Sequence, residues 1–306
     1  MGLIPKMIIF KKRSVMSVFF IFNFYSIAMK KIGLLSLLVL MFFSCKKDKD
    51  NTNSNTTFPD PNPIDSVPSS FVRNVLIENF KGEWNPNCPT GDDSLLAMQA
   101  LNYKRLNIAC IHQGDWLADE TLFDSLNNHL GGITGFPRAS INRMPATQGS
   151  QLDSTLISIF NWRVNILDAF TKPAICGLAL KSSLKDENLS LKVYIGYHDS
   201  IKSDTRLTVY VTEDSVAAQN QSNAPFDYKH HFVVRKVLTP NLGDKVNLLG
   251  GRQLIKEYSA SLQGLYSSKS NLKIIAFVHQ VGLDVKQHEV LNSQNVYIDS
   301  TKNWNE

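Results

Sequence analysis

Val75-Leu-Ile-Glu-Asn-Phe-Lys-Gly-Glu-Trp-Asn-Pro-Asn-Cys-Pro89 is the stretch on which the fold turns. Residues 75–80 read as an apolar strand, and Gly82 opens a loop. Pro89 then stands at the first turn of a helix predicted over 90–101, where a missing N–H leaves no hydrogen bond unmade. The result is a strand-loop-helix with Trp84 and Cys88 at the junction. A helix N-terminus favours negative charge, so a thiol placed there is a candidate nucleophile. The alternative is that Trp84 and Cys88 are ordinary loop and core residues, since a free Cys is often a small buried hydrophobe.

The junction resembles the active-site loop of thioredoxin-like domains, in which Cys-x-x-Cys follows a Trp. Asn85 takes the slot of the first cysteine, and only Cys88 of the pair remains. Disulfide exchange needs an attacking thiolate and a second thiol that resolves the mixed disulfide, and an amide supplies neither. The redox reaction is therefore expected to be absent. The same resemblance implies that Phe136-Pro137, which follows Gly131-Gly-Ile-Thr-Gly135, has a cis bond and sits opposite the Cys88 loop. There the neighbouring backbone can pair with an extended peptide. The candidate binding residues are Trp84, Asn85, Pro86, Cys88, Phe136 and Pro137. Asn85 and Cys88 mark a degenerate site, and no residue is assigned a catalytic role.

Three runs carry a wider resemblance: 75–89, then Ile108-Ala-Cys-Ile-His-Gln-Gly-Asp115, then Gly135-Phe-Pro-Arg-Ala-Ser-Ile-Asn-Arg143. A fourth, Tyr228-Lys-His-His-Phe-Val-Val-Arg235, falls further along. Together they are similar to the Omp28-related outer membrane lipoproteins of Bacteroidetes over roughly residues 72–300. The resemblance implies a lipoprotein of the cell envelope with a thioredoxin-like domain followed by a β-rich one. Many relatives keep the cysteine pair that this chain has lost.

Composition narrows the classes. With 306 residues and 43% hydrophobic content, the chain can build about two domains with real cores. The formal charge of +5 is concentrated at the start. Residues 1–44 hold six basic residues (Lys6, Lys11, Lys12, Arg13, Lys30, Lys31) and no acid, which leaves 26 basic against 27 acidic residues of the 32 and 27 in the chain. A near-neutral remainder removes the electrostatic case for nucleic acid.

Met29-Lys-Lys-Ile-Gly-Leu-Leu-Ser-Leu-Leu-Val-Leu-Met-Phe-Phe-Ser-Cys45 has a basic start, an apolar run and a small residue before the cut. That run is shorter than the roughly 20 residues needed to cross a bilayer. Residues 29–44 read as a lipoprotein signal and Cys45 as the lipidated residue, whose several acyl chains would anchor the protein stably in a membrane. Residues 1–28 read as a mis-called start. Residues 45–70, with Lys, Asp, Asn, Thr and Ser before Pro59, Pro61, Pro63 and Pro68, read as a disordered, solvated tether.

Residues 71–172 form the expected α/β thioredoxin-like domain. In it, 106–112 is a strand buried on both faces, with Cys110 as packing. A helical segment follows over 115–130, then a strand over 139–143. Over 151–170, Leu152, Leu156, Ile159, Phe160, Val164 and Leu167 fall near helical spacing and are expected to pack on the sheet. No final hairpin strand is evident between 143 and 151, so the sheet is either short or completed by the second domain. Pro173 marks the boundary. Residues 173–306 read as an all-β, immunoglobulin-like sandwich with strands at 174–181, 189–197, 206–213, 232–237, 258–262, 272–279 and 294–298. With Cys45 lipidated, Cys88, Cys110 and Cys176 remain, in different elements, and no disulfide is expected.

His230 and His231, with Asp227 and Asp204, invite a metal assignment. Adjacent strand residues point to opposite faces and cannot both chelate one ion, so the better reading is polar residues at the surface and no metal. His112 and Asp115 flank a strand end and could mark a polar cleft. No cofactor is expected. The function read from the sequence is a lipid-anchored envelope protein whose degenerate site binds an extended peptide or protein partner rather than performing redox chemistry. The alternatives are a monothiol disulfide reductase acting through Cys88 and a purely structural envelope lipoprotein.

Overall fold

Val75–Lys81 forms β1, and all seven of its residues are buried. A strand covered on both faces must lie inside a sheet with a layer on each side. Leu76 and Phe80 point to one layer, Val75 and Ile77 to the other. The computed structural model describes residue 64 and residues 66–101, 104–250 and 252–306. The segment 1–28 read as a mis-called start, the expected signal segment 29–44, the expected lipidation residue Cys45 and all but the end of the expected tether lie outside the described residues.

After β1 come α1 (Cys88–Ala100), β2 (Leu106–His112), α2 (Glu120–His129), β3 (Arg138–Ile141) and α3 (Ile159–Phe170). Asp119 caps α2 by accepting from the Leu122 N–H at 3.1 Å, a contact worth about 1 kcal/mol. The second half is nearly all strand: β4 (Cys176–Lys185), β5 (Asn188–Tyr197), β6 (Thr205–Glu213), β7 (Val216–Ala217), β8 (Lys229–His230), β9 (Val233–Val237), β10 (Asp244–Lys245), β11 (Gln253–Ser261), β12 (Leu272–Gln280), β13 (Val290–Tyr297) and β14 (Thr301–Lys302). The chain is thus a mixed α/β region followed by a β-rich one. All seven strands expected beyond Pro173 are present.

The two regions do not separate as the sequence suggested. One eight-stranded sheet runs β13-β12-β6-β9-β2-β1-β3, with β10 attached to β6, and so crosses the expected boundary. β9 lies parallel to β2, pairing Val233 with Cys110, and the Cys110 N–H donates to the Phe232 carbonyl at 2.8 Å. Left unpaired, β2 would present an open edge, and β9 covers it. Of the two alternatives for the short first-half sheet, completion by the second half is the one observed. A four-stranded sheet, β11-β5-β4-β14, stacks on the larger one. Leu207, Val209 and Val211 of β6 face it, with Leu178, Leu191 and Val193 opposite. The second half therefore has two stacked layers, but the larger one also contains β1, β2 and β3 of the first half, so the expected self-contained β domain is not what is observed.

On the side of Val75 and Ile77 the large sheet is covered by α1 and α3, through Leu95, Met98, Trp162 and Ile166. On the other side α2 packs Leu122, Phe123 and Leu126 against Leu76, Phe80, Tyr210 and Phe277. Helix α3 begins later than predicted. Residues 147–150 form a loop tied to its buried face, where the Asn165 Oδ1 accepts from the Thr147 and Gln148 N–H groups and the Asn161 Oδ1 from the Ser150 N–H. That face is Asn161, Trp162, Asn165 and Ile166. Leu152, Phe160, Val164 and Leu167, expected to pack on the sheet, are exposed, Phe160 to 92%. Hydrogen bonding by two asparagines, which apolar spacing does not register, turned the helix.

Candidate functional site

Past Lys81 the chain bends at Gly82, where a Cβ would collide with the Trp84 ring and meet the Gln113 carbonyl at 2.7 Å. The close approach lets the Trp84 Nε1–H donate to that carbonyl at 2.8 Å. The indole, 47% exposed, meets Phe136 edge to face, with centroids 5.1 Å apart at 72°. Phe136 stacks in turn on Phe123 at 6.1 Å. The Phe136–Pro137 bond is cis, and Pro137 lies against Gly91 of α1, where a Cβ would stand 2.9 Å from the proline Cγ. The loop before α1 and the prolyl turn thus meet, Trp84 against Phe136 and Gly91 against Pro137. Among the described residues, the backbone groups of Gly135 and Phe136 make no hydrogen bond.

Asn85 is half-buried and organises the loop. Its N–H donates to the Gly82 carbonyl at 3.1 Å, its Oδ1 accepts from the Asn87 N–H at 2.9 Å, and its carbonyl accepts from the Cys88 N–H at 3.3 Å. Side-chain closure of this kind is what Asn does well in turns. A strap from the second half covers the same loop. The Gln221 Nε2 donates to the carbonyls of Glu83 and Asn85, the Asn223 Nδ2 to that of Pro86 at 3.2 Å, and the Ser222 N–H to that of Glu83 at 2.7 Å.

Cys88 begins α1 but is fully buried. Burial pushes its thiol up to about 11, and Asp92 and Asp115 push the same way against the Gly82 backbone and Lys81. The favourable pull of the helix N-terminus is outweighed, and the thiolate is scarce at neutral pH. Cys110, in the centre of β2, is driven to about 12, again mainly by burial. Cys88, Cys110 and Cys176 are all unpaired.

Behind the loop lies a buried charge cluster. Lys81 is fully buried and ion-paired with Asp92, which also accepts from the Tyr228 hydroxyl at 2.6 Å. Burial raises the Asp92 carboxyl, but His230, Lys81 and Tyr228 outweigh it and hold the group at about 2. The Lys81 Nζ lies 3.1 Å from the His230 Nδ1. On the other side of the ring the Nε2–H donates to the Glu83 carboxylate at 3.0 Å. Glu83 also receives the Trp116 Nε1–H and the Gln219 and Asn220 N–H groups. Beside it His112 and Asp115 pair at 2.7 Å. Burial, with Lys81 and His230, lowers the His112 imidazole to about 4 against the pull of Asp115, so the ring is neutral and donates.

The surface reading of His230 is overturned: it is fully buried, and its partners come from β1, the loop and α1. Alternation does hold, since His231 points the other way, half-buried and 3.9 Å from Asp214. Asp227 is exposed, and Asp204 pairs with Arg206 at 3.3 Å. No group of three or more metal-binding side chains is clustered among the described residues. Lys81, Glu83, Asp92 and Tyr228 were missed as a set. The signal available was a lysine closing an apolar strand and a Tyr-x-His run far away in sequence, and only the fold joins the two.

A second buried cluster occupies the middle of the sheet. Arg143 grips Glu78 with two bonds, at 2.8 and 2.7 Å, and Tyr210 donates to the same carboxylate at 2.9 Å. The Arg143 NH1 is 3.4 Å from the His279 Nδ1, and His129 stacks on His288 at 3.6 Å.

Residues 125–302 match a protein family described as outer membrane protein Omp28. Among solved structures, HBP35 of Porphyromonas gingivalis aligns with a TM-score of 0.66 at 24% identity, over 76% of this chain and 78% of its own. Protein AGR_C_4864 from Agrobacterium tumefaciens aligns with a TM-score of 0.51 at 13% identity, over 74% of this chain and 94% of its own. Likeness at these identities bears on the fold alone. A domain of the outer membrane lipoprotein Omp28 from Porphyromonas gingivalis reaches 20% identity over 41% of this chain and 97% of its own, with a TM-score of 0.29. No curated protein matches.

Proposed function

Because the chain belongs to the Omp28 family of outer membrane proteins, we propose that it is a lipid-anchored binding protein of the envelope that holds an extended peptide without thiol chemistry. In this reading the first half is a thioredoxin-like unit that has lost its attacking sulfur, and the stacked sheets of the second half are an immunoglobulin-like support. Acyl chains on Cys45 would hold the protein at the membrane, with at least two needed for stable anchoring.

The observation that carries the reading is an exposed aromatic contact beside free backbone, set over a sealed thiol. Trp84 and Phe136 present aromatic surface beside the unpaired backbone of Gly135 and Phe136. Edge pairing with a peptide backbone needs no sulfur. Cys88 lies beneath, protonated at neutral pH, and Asn85 offers no nucleophile. The monothiol reading would require an accessible thiolate, and neither accessibility nor charge favours one.

Insulin reduction by the soluble chain tests the redox half. We expect no turnover from the natural protein and none from Cys88→Ser. Turnover in the natural protein that vanishes in Cys88→Ser would overturn the reading. A photo-crosslinking side chain at position 136 in intact cells tests the binding half. Adducts to peptide or protein are expected, and they should disappear in Trp84→Ala. Palmitate incorporation that is lost in Cys45→Ser tests the anchor.

A further inference from the structure

Helix α3 has two faces. Asn161, Trp162, Asn165 and Ile166 are buried against the protein, and the opposite side is open. That side is apolar: Phe160, Val164 and Leu167 are 92%, 42% and 40% exposed, and Thr171, also exposed, completes the row. These are the side chains whose spacing predicted packing on the sheet, and the helix turned them away from it. An apolar row with polar residues on its rim marks an interaction surface.

The spacing within the row is 4, 3 and 4 residues, the alternation of d and a positions in a coiled-coil seam. The residues beside the seam indicate what covers it. In a parallel helix pair, the residue just before an a position of one helix faces the residue just after the next d position of the other, and charges at these places set partner and orientation. Here the two places hold Arg163 and Asp168. Arg163 is exposed and has no ion pair among the described residues. Asp168 meets Lys172 at 3.3 Å and the Thr147 hydroxyl at 2.7 Å, both through Oδ2. Its Oδ1 has no partner among the described residues and is reached by solvent. Turned head to tail, the same seam would bring Arg163 to Phe170 and Asp168 to the buried Asn161, so only the parallel arrangement matches opposite charges.

We propose that α3 pairs in parallel with α3 of a second copy of this chain, about a two-fold axis along the seam, with Arg163 of each copy facing Asp168 of the other. An anionic lipid surface fits less well, because Asp168 stands on the rim of the row. The seam spans less than two heptads, so the contact belongs at the small, weak end of specific interfaces. It is separate from the Trp84 loop, and the proposal does not depend on the peptide reading.

Disulfide trapping of the full chain in intact cells tests it. Cys88, Cys110 and Cys176 are buried, so the natural protein should give no linked dimer under mild oxidation. Phe160→Cys and Leu167→Cys, one heptad apart on the axis, should each give a homodimer in a yield well above that of Ser183→Cys, an exposed site on β4. Arg163→Glu sets like charges against each other at both ends of the axis and should lower the Leu167→Cys dimer about tenfold, and Asp168→Lys added to it should restore the yield. The proposal is overturned if neither cysteine variant exceeds Ser183→Cys, if only one of the two links, as in a head-to-tail pair, or if the linked species holds a different protein. It is equally overturned if Arg163→Glu leaves the yield unchanged or Asp168→Lys fails to restore it. Should a charge variant fail to accumulate, the trapping pattern of the two cysteine variants in the otherwise natural chain still decides.

Discussion

Two buried charge clusters hang on the same strand, three residues apart, and serve different ends. Glu78, in the middle of β1, is gripped by Arg143 and Tyr210, and each of the three side chains is held by a strand or its immediate end. Lys81, at the end of β1, reaches partners on α1 and β8, and through His230 the loop at Glu83. The first cluster joins rigid elements to one another. The second joins rigid elements to a surface loop, so its energy is spent on holding the loop at Glu83 and Trp84 in shape. Position along one strand thus separates a cluster that specifies the fold from one that presents a site.

Removing the charge partner in the first cluster should have the largest effect. Arg143→Met leaves the Glu78 carboxylate buried without compensation, which costs about 3–5 kcal/mol. Urea unfolding followed by circular dichroism measures it. A loss below about 1 kcal/mol would show that water reaches Glu78, and the contrast between the clusters would fail.

Acid should separate the clusters next. His112, beside the loop, titrates at about 4 in the folded chain, and His129, near Arg143, at about 3, burial being the main cause in both. Unfolded imidazoles titrate near 6.5. Between those values the unfolded chain binds more protons, so stability is fully present above about 6.5 and declines as the pH falls. Each histidine contributes a slope of about 1.4 kcal/mol per pH unit at most. His112→Asn should flatten the stability curve only above about pH 4, whereas His129→Asn should flatten it down to about pH 3. Identical windows for the two variants would mean that the clusters share one environment.

Glu83→Gln is a milder test aimed at the loop. The carboxylate accepts from His230, Trp116 and two backbone N–H groups, and an amide must turn an NH₂ toward one of those donors. The expected cost is about 1.5–3 kcal/mol. Hydrogen exchange should rise first in 219–223 and in the loop before α1, with β1 still protected. Equal acceleration in β1 would place Glu83 in the same class as Glu78.

The sequence made one side of this contrast readable and hid the other. β1, β2 and the strands beyond Pro173 were plain because a buried strand needs apolar residues at short period. Trp84 and Phe136 were brought together by resemblance, since no periodicity joins positions 52 residues apart. His230 was misread because alternation puts adjacent strand histidines on opposite faces without saying which face is covered, and only the fold sets it beside Lys81, Glu83 and Asp92. The continuous sheet was hidden for a similar reason: whether β9 pairs with β2 depends on which edge is left open, and edges are a property of the assembled sheet. Helix α3 failed more instructively. Its asparagines look like surface residues until the backbone of 147–150 is there to receive them.

The smallest effect is the sharpest test of the site. Trp84 and Phe136 are the contact through which the loop and the prolyl turn meet, 5.1 Å apart and edge to face. Such a pair contributes about 0.5–1.5 kcal/mol beyond its area. A double-mutant cycle with Trp84→Ala and Phe136→Ala isolates that coupling from the packing each ring makes elsewhere, notably Phe136 on Phe123. We expect a coupling of that size in stability, together with loss of peptide adducts in Trp84→Ala. If the coupling is near zero while adducts persist, the rings act independently and the cleft is not the binding surface. If the coupling is present and adducts persist, the aromatic contact braces the loop and the peptide is held by the prolyl backbone alone.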